Sequence, residues 1–110
     1  MTINALHPAA LAQFWSNALP LAGEPEDSGG GTVRVPLPGA RPDLLFAPAD
    51  TDKAAAGRIH FDLTWIGDPV GRQAEMVRLM ALGAGFVEDC KDESYTWSVM
   101  TDPEGNPFYL

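Results

Sequence analysis

Cysteine occurs once, at Cys90. A single thiol cannot build an internal disulfide framework, which fits a reducing, cytoplasmic setting. Nothing approaches the roughly 18 consecutive apolar residues of a membrane span. The opening MTINALHPAAL lacks the basic start and apolar stretch of a signal peptide. Basic residues are scarce: 7 Lys and Arg stand against 15 Asp and Glu, a formal net charge of −8. A field of that sign repels phosphate backbones, so no nucleic-acid partner is expected, and without an apolar span no membrane partner is expected either. CxxC, HExxH, GxSxG and phosphate-binding glycine motifs are all missing. The run Gly29-Gly30-Gly31 follows Glu24, Pro25, Glu26, Asp27 and Ser28, and reads as an acidic turn rather than a phosphate cradle.

What remains is 110 residues, 45% of them hydrophobic, enough for one globular domain with its own core. TINAL (2–6) is a short strand, and Pro8 stands at a helix start, where its missing N–H costs nothing. Leu11, Phe14, Trp15, Ala18 and Leu19 recur at helical spacing, and Pro20 ends the run. Residues 21–31 read as loop, with at most a weak strand near Leu21–Glu24. TVRVPLP (32–38) alternates, with Pro36 marking an edge or bulge, and DLLFAP (43–48) is an apolar strand. A linker over 49–57 separates a first module, 1–48, from a second, 58–110. The second opens with the strand RIHFDLTW (58–65), followed by a helix from Asp68-Pro69 to Gly83. GFVEDCKD (85–92) and YTWSVM (95–100) are strands, TDPEGN (101–106) is a tight turn, and PFYL (107–110) is a last strand.

Counting the weak strand, the order is strand, helix and three strands, twice over. A period of about 60 residues is too long for a solenoid and points to two copies of one βαβββ unit. In RIHFDLTW, Ile59, Phe61, Leu63 and Trp65 lie on one side; Arg58, His60, Asp62 and Thr64 lie on the other. The second side thus carries an imidazole and a carboxylate about 6.5–7 Å apart.

RIHFDLTW, the helix ending in MALGAGFVED and the close WSVMTDPEGNPFYL together resemble the glyoxalase-like domains of the vicinal-oxygen-chelate superfamily. HPAALAQFW and DLLFAP extend the resemblance over most of the chain. It implies an α+β fold of two paired βαβββ modules, forming a curved, incompletely closed mixed sheet around a cleft, in a homodimer. It also implies a divalent metal held by His and Glu from four cavity strands. His60 falls on one such position, but the glutamate position of the final strand is Tyr109. Phe46 or Ala47 stands near another, and MTINAL begins after the position of the remaining one. One imidazole does not replace an ion's water shell, so no bound metal is expected.

The expected function is therefore the binding of a small organic molecule in the cleft. His60, Asp62 and Tyr109 supply polar contacts, and Trp97 supplies an aromatic wall if its face of the strand looks inward. One alternative is a lyase, isomerase or dioxygenase of the same superfamily, working with a metal or with His60 as general base. Another is an interaction module with a filled cleft. Trp15 and Phe14 read as core, His7 as a weak helix cap and Arg58 as an exposed strand end. Asp102, Gly105 and Asn106 read as turn residues whose bonds are local. Cys90, beside Glu88 and Asp89, is expected to have a raised thiol pKa and no role as a nucleophile.

Overall fold

The computed structural model describes residues 2–19, 22–39, 43–49, 61–62, 69–93 and 96–110. The chain divides into two compact units, Met1–Ile59 and His60–Leu110.

The first unit comprises strand β1 (Thr2–Ala5), helix α1 (Pro8–Ala18) and strands β2 (Glu26–Gly29), β3 (Thr32–Val35) and β4 (Leu44–Pro48). They form a four-stranded sheet in the order β1-β4-β3-β2, with β1 parallel to β4 and the other pairs antiparallel. The apolar stripe of α1 lies on β3 and β4. Leu11, Phe14 and Trp15 of the helix and Val35, Leu44 and Phe46 of the sheet are buried. The Phe14 and Trp15 rings meet edge to face at 5.0 Å. Pro8 stands in the first turn, but His7 makes no capping bond through its side chain. Its contribution is the main-chain carbonyl, which accepts Leu11 N–H at 3.0 Å. An imidazole is a poor match for the short oxygen acceptors that reach back to the first-turn amides. At the other end Ser16 donates through Oγ to the Gly23 carbonyl, 2.7 Å, and ties the chain leaving the helix back onto it.

The weak strand expected near Leu21–Glu24 lies instead at Glu26–Gly29, paired with β3 as a hairpin. Gly30 and Gly31 turn the chain with φ of 62° and 82°, the left-handed values that a two-residue hairpin loop requires. All of β2 is exposed, so no apolar alternation marks it in the sequence. Its register is held across the strands by the Arg34–Glu26 ion pair, and Arg34 also meets Asp43 at 3.1 Å. Hydrogen bonding to Glu26 and its charge, followed by the charge of Asp43, raise the Arg34 pKa further above its ordinary value.

The second unit repeats the plan with β5 (Phe61–Asp62), α2 (Pro69–Ala81), β6 (Gly85–Lys91), β7 (Thr96–Thr101) and β8 (Pro107–Tyr109). Its sheet runs β5-β8-β7-β6, with β5 parallel to β8. The strand order is therefore the same in both units, as two copies of a βαβββ unit require. Helix α2 closes at Gly83, whose φ of 119° suits only glycine, and Ala84 N–H returns to the Leu79 carbonyl at 3.0 Å. Met76 and Leu79 of α2, and Met100, Phe108 and Leu110, are buried.

The turn from β7 to β8 is built on Asp102, only 4% exposed. Its Oδ1 accepts Glu104 N–H at 3.0 Å and Asn106 N–H at 2.9 Å, and its Oδ2 accepts Asn106 Nδ2 at 2.8 Å. Gly105 takes a φ of 82°. Removing the carboxylate leaves buried amides without acceptors, at a cost of about 1–3 kcal/mol each in the worst case. Asp102→Ala is expected to lower unfolding stability by at least about 2 kcal/mol, read by urea denaturation, with Asp102→Asn recovering part of the loss. A midpoint equal to that of the parent would show that the turn does not depend on this side chain.

Candidate functional site

Strand alternation sorts the second sheet into two faces. On β7, Ser98 and Met100 are fully buried, whereas Trp97, Val99 and Thr101 are half-buried. Ser98 faces α2: its Oγ accepts a hydrogen bond from Arg72 Nη2 at 2.5 Å and lies 3.5 Å from Met76 Sδ. Trp97 and Val99 therefore lie on the face opposite α2. The register pairs Val99 with Tyr109 on β8 and with Glu88 on β6, and Trp97 with Cys90. Residues opposite one another across a ladder share a face. Trp97, Val99, Tyr109, Glu88 and Cys90 thus form one surface, with Val99 between Glu88 and Tyr109.

Two of the expected site residues, Trp97 and Tyr109, come together on this face. Asp62 is brought opposite Tyr109 by the parallel register of β5 and β8. His60 lies outside the described residues, as do Arg58, Trp65 and Tyr95. Glu88 joins the face for a reason that alternation alone conceals. The register of β6 shifts between Phe86 and Glu88, so that Phe86 opposes Met100 while Glu88 opposes Val99. A bulge of this kind re-aims every side chain beyond it.

The Cys90 thiol lies 3.7 Å from Glu88 Oε1. Partial burial, then the charge of Glu88 and this contact, then the charge of Asp89, push its pKa above the ordinary thiol value. Less thiolate is present at any given pH, so the group is a weak nucleophile.

Behind the face, α2 is fastened to the sheet by a polar chain that sequence reasoning did not find. Arg72 donates to Ser98 Oγ, and Ser98 donates onward to Asp89 Oδ1 at 2.5 Å. Arg72 also reaches the Leu110 carbonyl through Nε at 3.4 Å and Nη2 at 3.3 Å. In sequence Arg72 looks like an exposed helix charge and Asp89 like an acidic strand edge. Only folding brings both to one buried hydroxyl. The chain fixes β7 against α2 and thereby sets which way Trp97 and Val99 point.

The positions at which the resemblance places metal ligands offer few donors. Phe46 is fully buried in the first core, Ala47 has no donor atom, and Tyr109 presents a phenol in place of a carboxylate. Among the described residues, no three His, Cys, Asp or Glu side chains gather as a metal site. Nor is any described helix long and apolar enough to cross a membrane.

Comparison with known proteins agrees with the fold. The glyoxalase-like domain family matches residues 1–110. No curated protein is a match. Among solved structures, a protein of Agrobacterium tumefaciens determined by NMR in solution has a TM-score of 0.75 at 16% identity, over 99% of this chain and 90% of that one. A lactoylglutathione lyase from Agrobacterium tumefaciens has a TM-score of 0.64 at 20% identity, over 99% and 87%. A bleomycin-binding protein from Streptomyces verticillus, in complex with copper(II)-bleomycin, has a TM-score of 0.61 at 18% identity, over 98% and 88%. At these identities the likeness is one of fold.

Two expectations follow. Ser98→Ala should cost about 1–3 kcal/mol in urea denaturation, because Arg72 and Asp89 lose their shared partner; an unchanged midpoint would mean that the polar chain does not hold α2. Cys90 should react with iodoacetamide more slowly than an unstructured cysteine peptide at neutral pH, and gain rate as pH rises. Glu88→Gln should accelerate it, since removing a negative neighbour lowers the thiol pKa. Parent and variant reacting at one rate would remove Glu88 as a cause.

Proposed function

The chain belongs to the glyoxalase-like domain family, and from that premise we propose that it binds a small organic molecule on the second sheet, without a bound metal. Trp97 and Tyr109 supply the aromatic contacts, and His60 and Asp62 supply polar ones. The observation that carries this reading is the convergence of Trp97 and Tyr109 around Val99 on the face turned away from α2. An aromatic surface of this kind binds flat or apolar molecules, and a phenol hydroxyl can fix their orientation.

The absence of a metal from the reading rests on donor chemistry. A divalent cation requires several imidazole or carboxylate donors, and Phe46, Ala47 and Tyr109 do not provide them. The structural neighbour that binds bleomycin supports this reading. We take the binding form to be a cytoplasmic homodimer; a monomeric mass in sedimentation would remove the dimer from the reading and leave the binding face as it is.

The test is a thermal-shift screen of metabolites and antibiotics on protein purified without chelator, with its metal content measured alongside. At least one compound should raise the melting temperature, by an amount that at ~100 times Kd corresponds to about 2.7 kcal/mol. Trp97→Ala and Tyr109→Ala should each reduce that shift. A stoichiometric metal ion lost on His60→Ala would overturn the metal-free reading in favour of a metal-dependent lyase or dioxygenase. A screen without a hit would leave an interaction module.

A further inference from the structure

We infer that the ligand is an organic cation with a flat apolar body, its charge set against the Glu88 carboxylate and its body against Trp97; this rests on the binding face just described. Three observations point the same way. The register puts Glu88 and Tyr109 on either side of Val99, with Trp97 two residues before it on the same strand. Diagonal neighbours on one face are about 7–8 Å apart, so Glu88 and Tyr109 are each within side-chain reach of the Trp97 ring. Glu88 and Tyr109 themselves stand two strand spacings apart, about 9.5 Å. One small molecule spans that distance.

The face also has a sign. Glu88 is exposed, and among the described residues its Oε1 meets a thiol at 3.7 Å, a weak donor that a cation displaces. From β6 to β8, no lysine or arginine side chain shares the face. Lys91 pairs with Thr96 and so points to the α2 side, where Arg72 is also committed. An anion set against Trp97 would therefore meet a carboxylate that no described lysine or arginine of β6 to β8 offsets. A cation would meet that carboxylate and the electron-rich faces of an indole and a phenol, all of which attract it. The chain's net charge of −8 steers it in the same direction.

The experiment titrates the full-length protein with phenyltrimethylammonium, benzyl alcohol and benzoate, which share a ring and differ in charge. Binding is followed by tryptophan fluorescence and by the NMR signal of the Trp97 indole N–H, assigned with Trp97→Phe. The cation should bind more tightly than either of the others, and added salt should weaken it while leaving benzyl alcohol unaffected. Glu88→Gln, an exposed and nearly isosteric change, should weaken the cation by roughly two- to fivefold without altering benzyl alcohol binding. Benzyl alcohol or benzoate binding as tightly as the cation, or no effect of Glu88→Gln, would overturn the charge preference while leaving the binding face in place. If none of the three perturbs the Trp97 signal, both the preference and the binding face fall.

Discussion

The architecture of the candidate site depends on the register of β7 against its neighbours. Side chains alternate along a strand, so a slip of one residue would exchange the two faces of the sheet. Such a slip would expose Met100, which is fully buried, and drive the Trp97 indole under α2. Exposing a buried side chain of that size costs about 1.5–3 kcal/mol. The polar chain from Arg72 through Ser98 to Asp89 adds a specific lock to this general one, because a slip of one residue would turn the Ser98 hydroxyl away from Arg72. The Asp102 turn sets the pairing from the other end, so that Val99 meets Tyr109. Core packing, a buried serine and a tight turn thus fix one geometric fact, the direction in which Trp97 and Tyr109 point.

The two units apply the same topology to different ends. Both sheets follow the order first, fourth, third, second strand, with a helix in the crossover between the first strand and the rest. In the first unit the helix side is almost wholly apolar, with Trp15, Phe46 and Leu44 at its centre. In the second, α2 is secured partly through polar contacts, and the strands carry more chemistry. The outer strand β6 is largely exposed and contains Glu88 and Asp89, charges that discourage edge-to-edge pairing with other chains. One of them faces Ser98 and the other the proposed ligand, because the bulge after Phe86 resets the alternation.

The proposed binding role follows from the side chains at the positions where the family resemblance places metal donors. A phenol in place of a carboxylate at residue 109 exchanges a hard anionic ligand for an aromatic surface with a neutral hydroxyl. Combined with the indole of Trp97, this favours contact with the body of an organic molecule over coordination of an ion. Membership of the glyoxalase-like family is compatible with this, since the fold serves both a lyase and a drug-binding protein among the structural neighbours. The proposed function accordingly rests on the side chains of one sheet face and not on the fold alone.

Much of this was legible in the sequence. Periodicity marked both helices, Gly83 marked the end of the second, the Asp102–Asn106 turn marked the break between the last two strands, and the repeat of one element order announced the duplicated unit. The exposed β2 was misplaced, because a strand held by a glycine turn and an Arg34–Glu26 pair has no apolar pattern to read. His7 looked like a cap by position alone. By itself, then, the sequence determined the family and the element order, since these depend on residue type and on neighbours along the chain. The tertiary structure alone decided that Ser98, not Trp97, turns toward α2, that Arg72 reaches it from 26 residues away, and that Glu88 stands beside Val99. Those facts rest on pairing between strands and on a bulge, which bring distant residues together by hydrogen-bond register that no local pattern encodes.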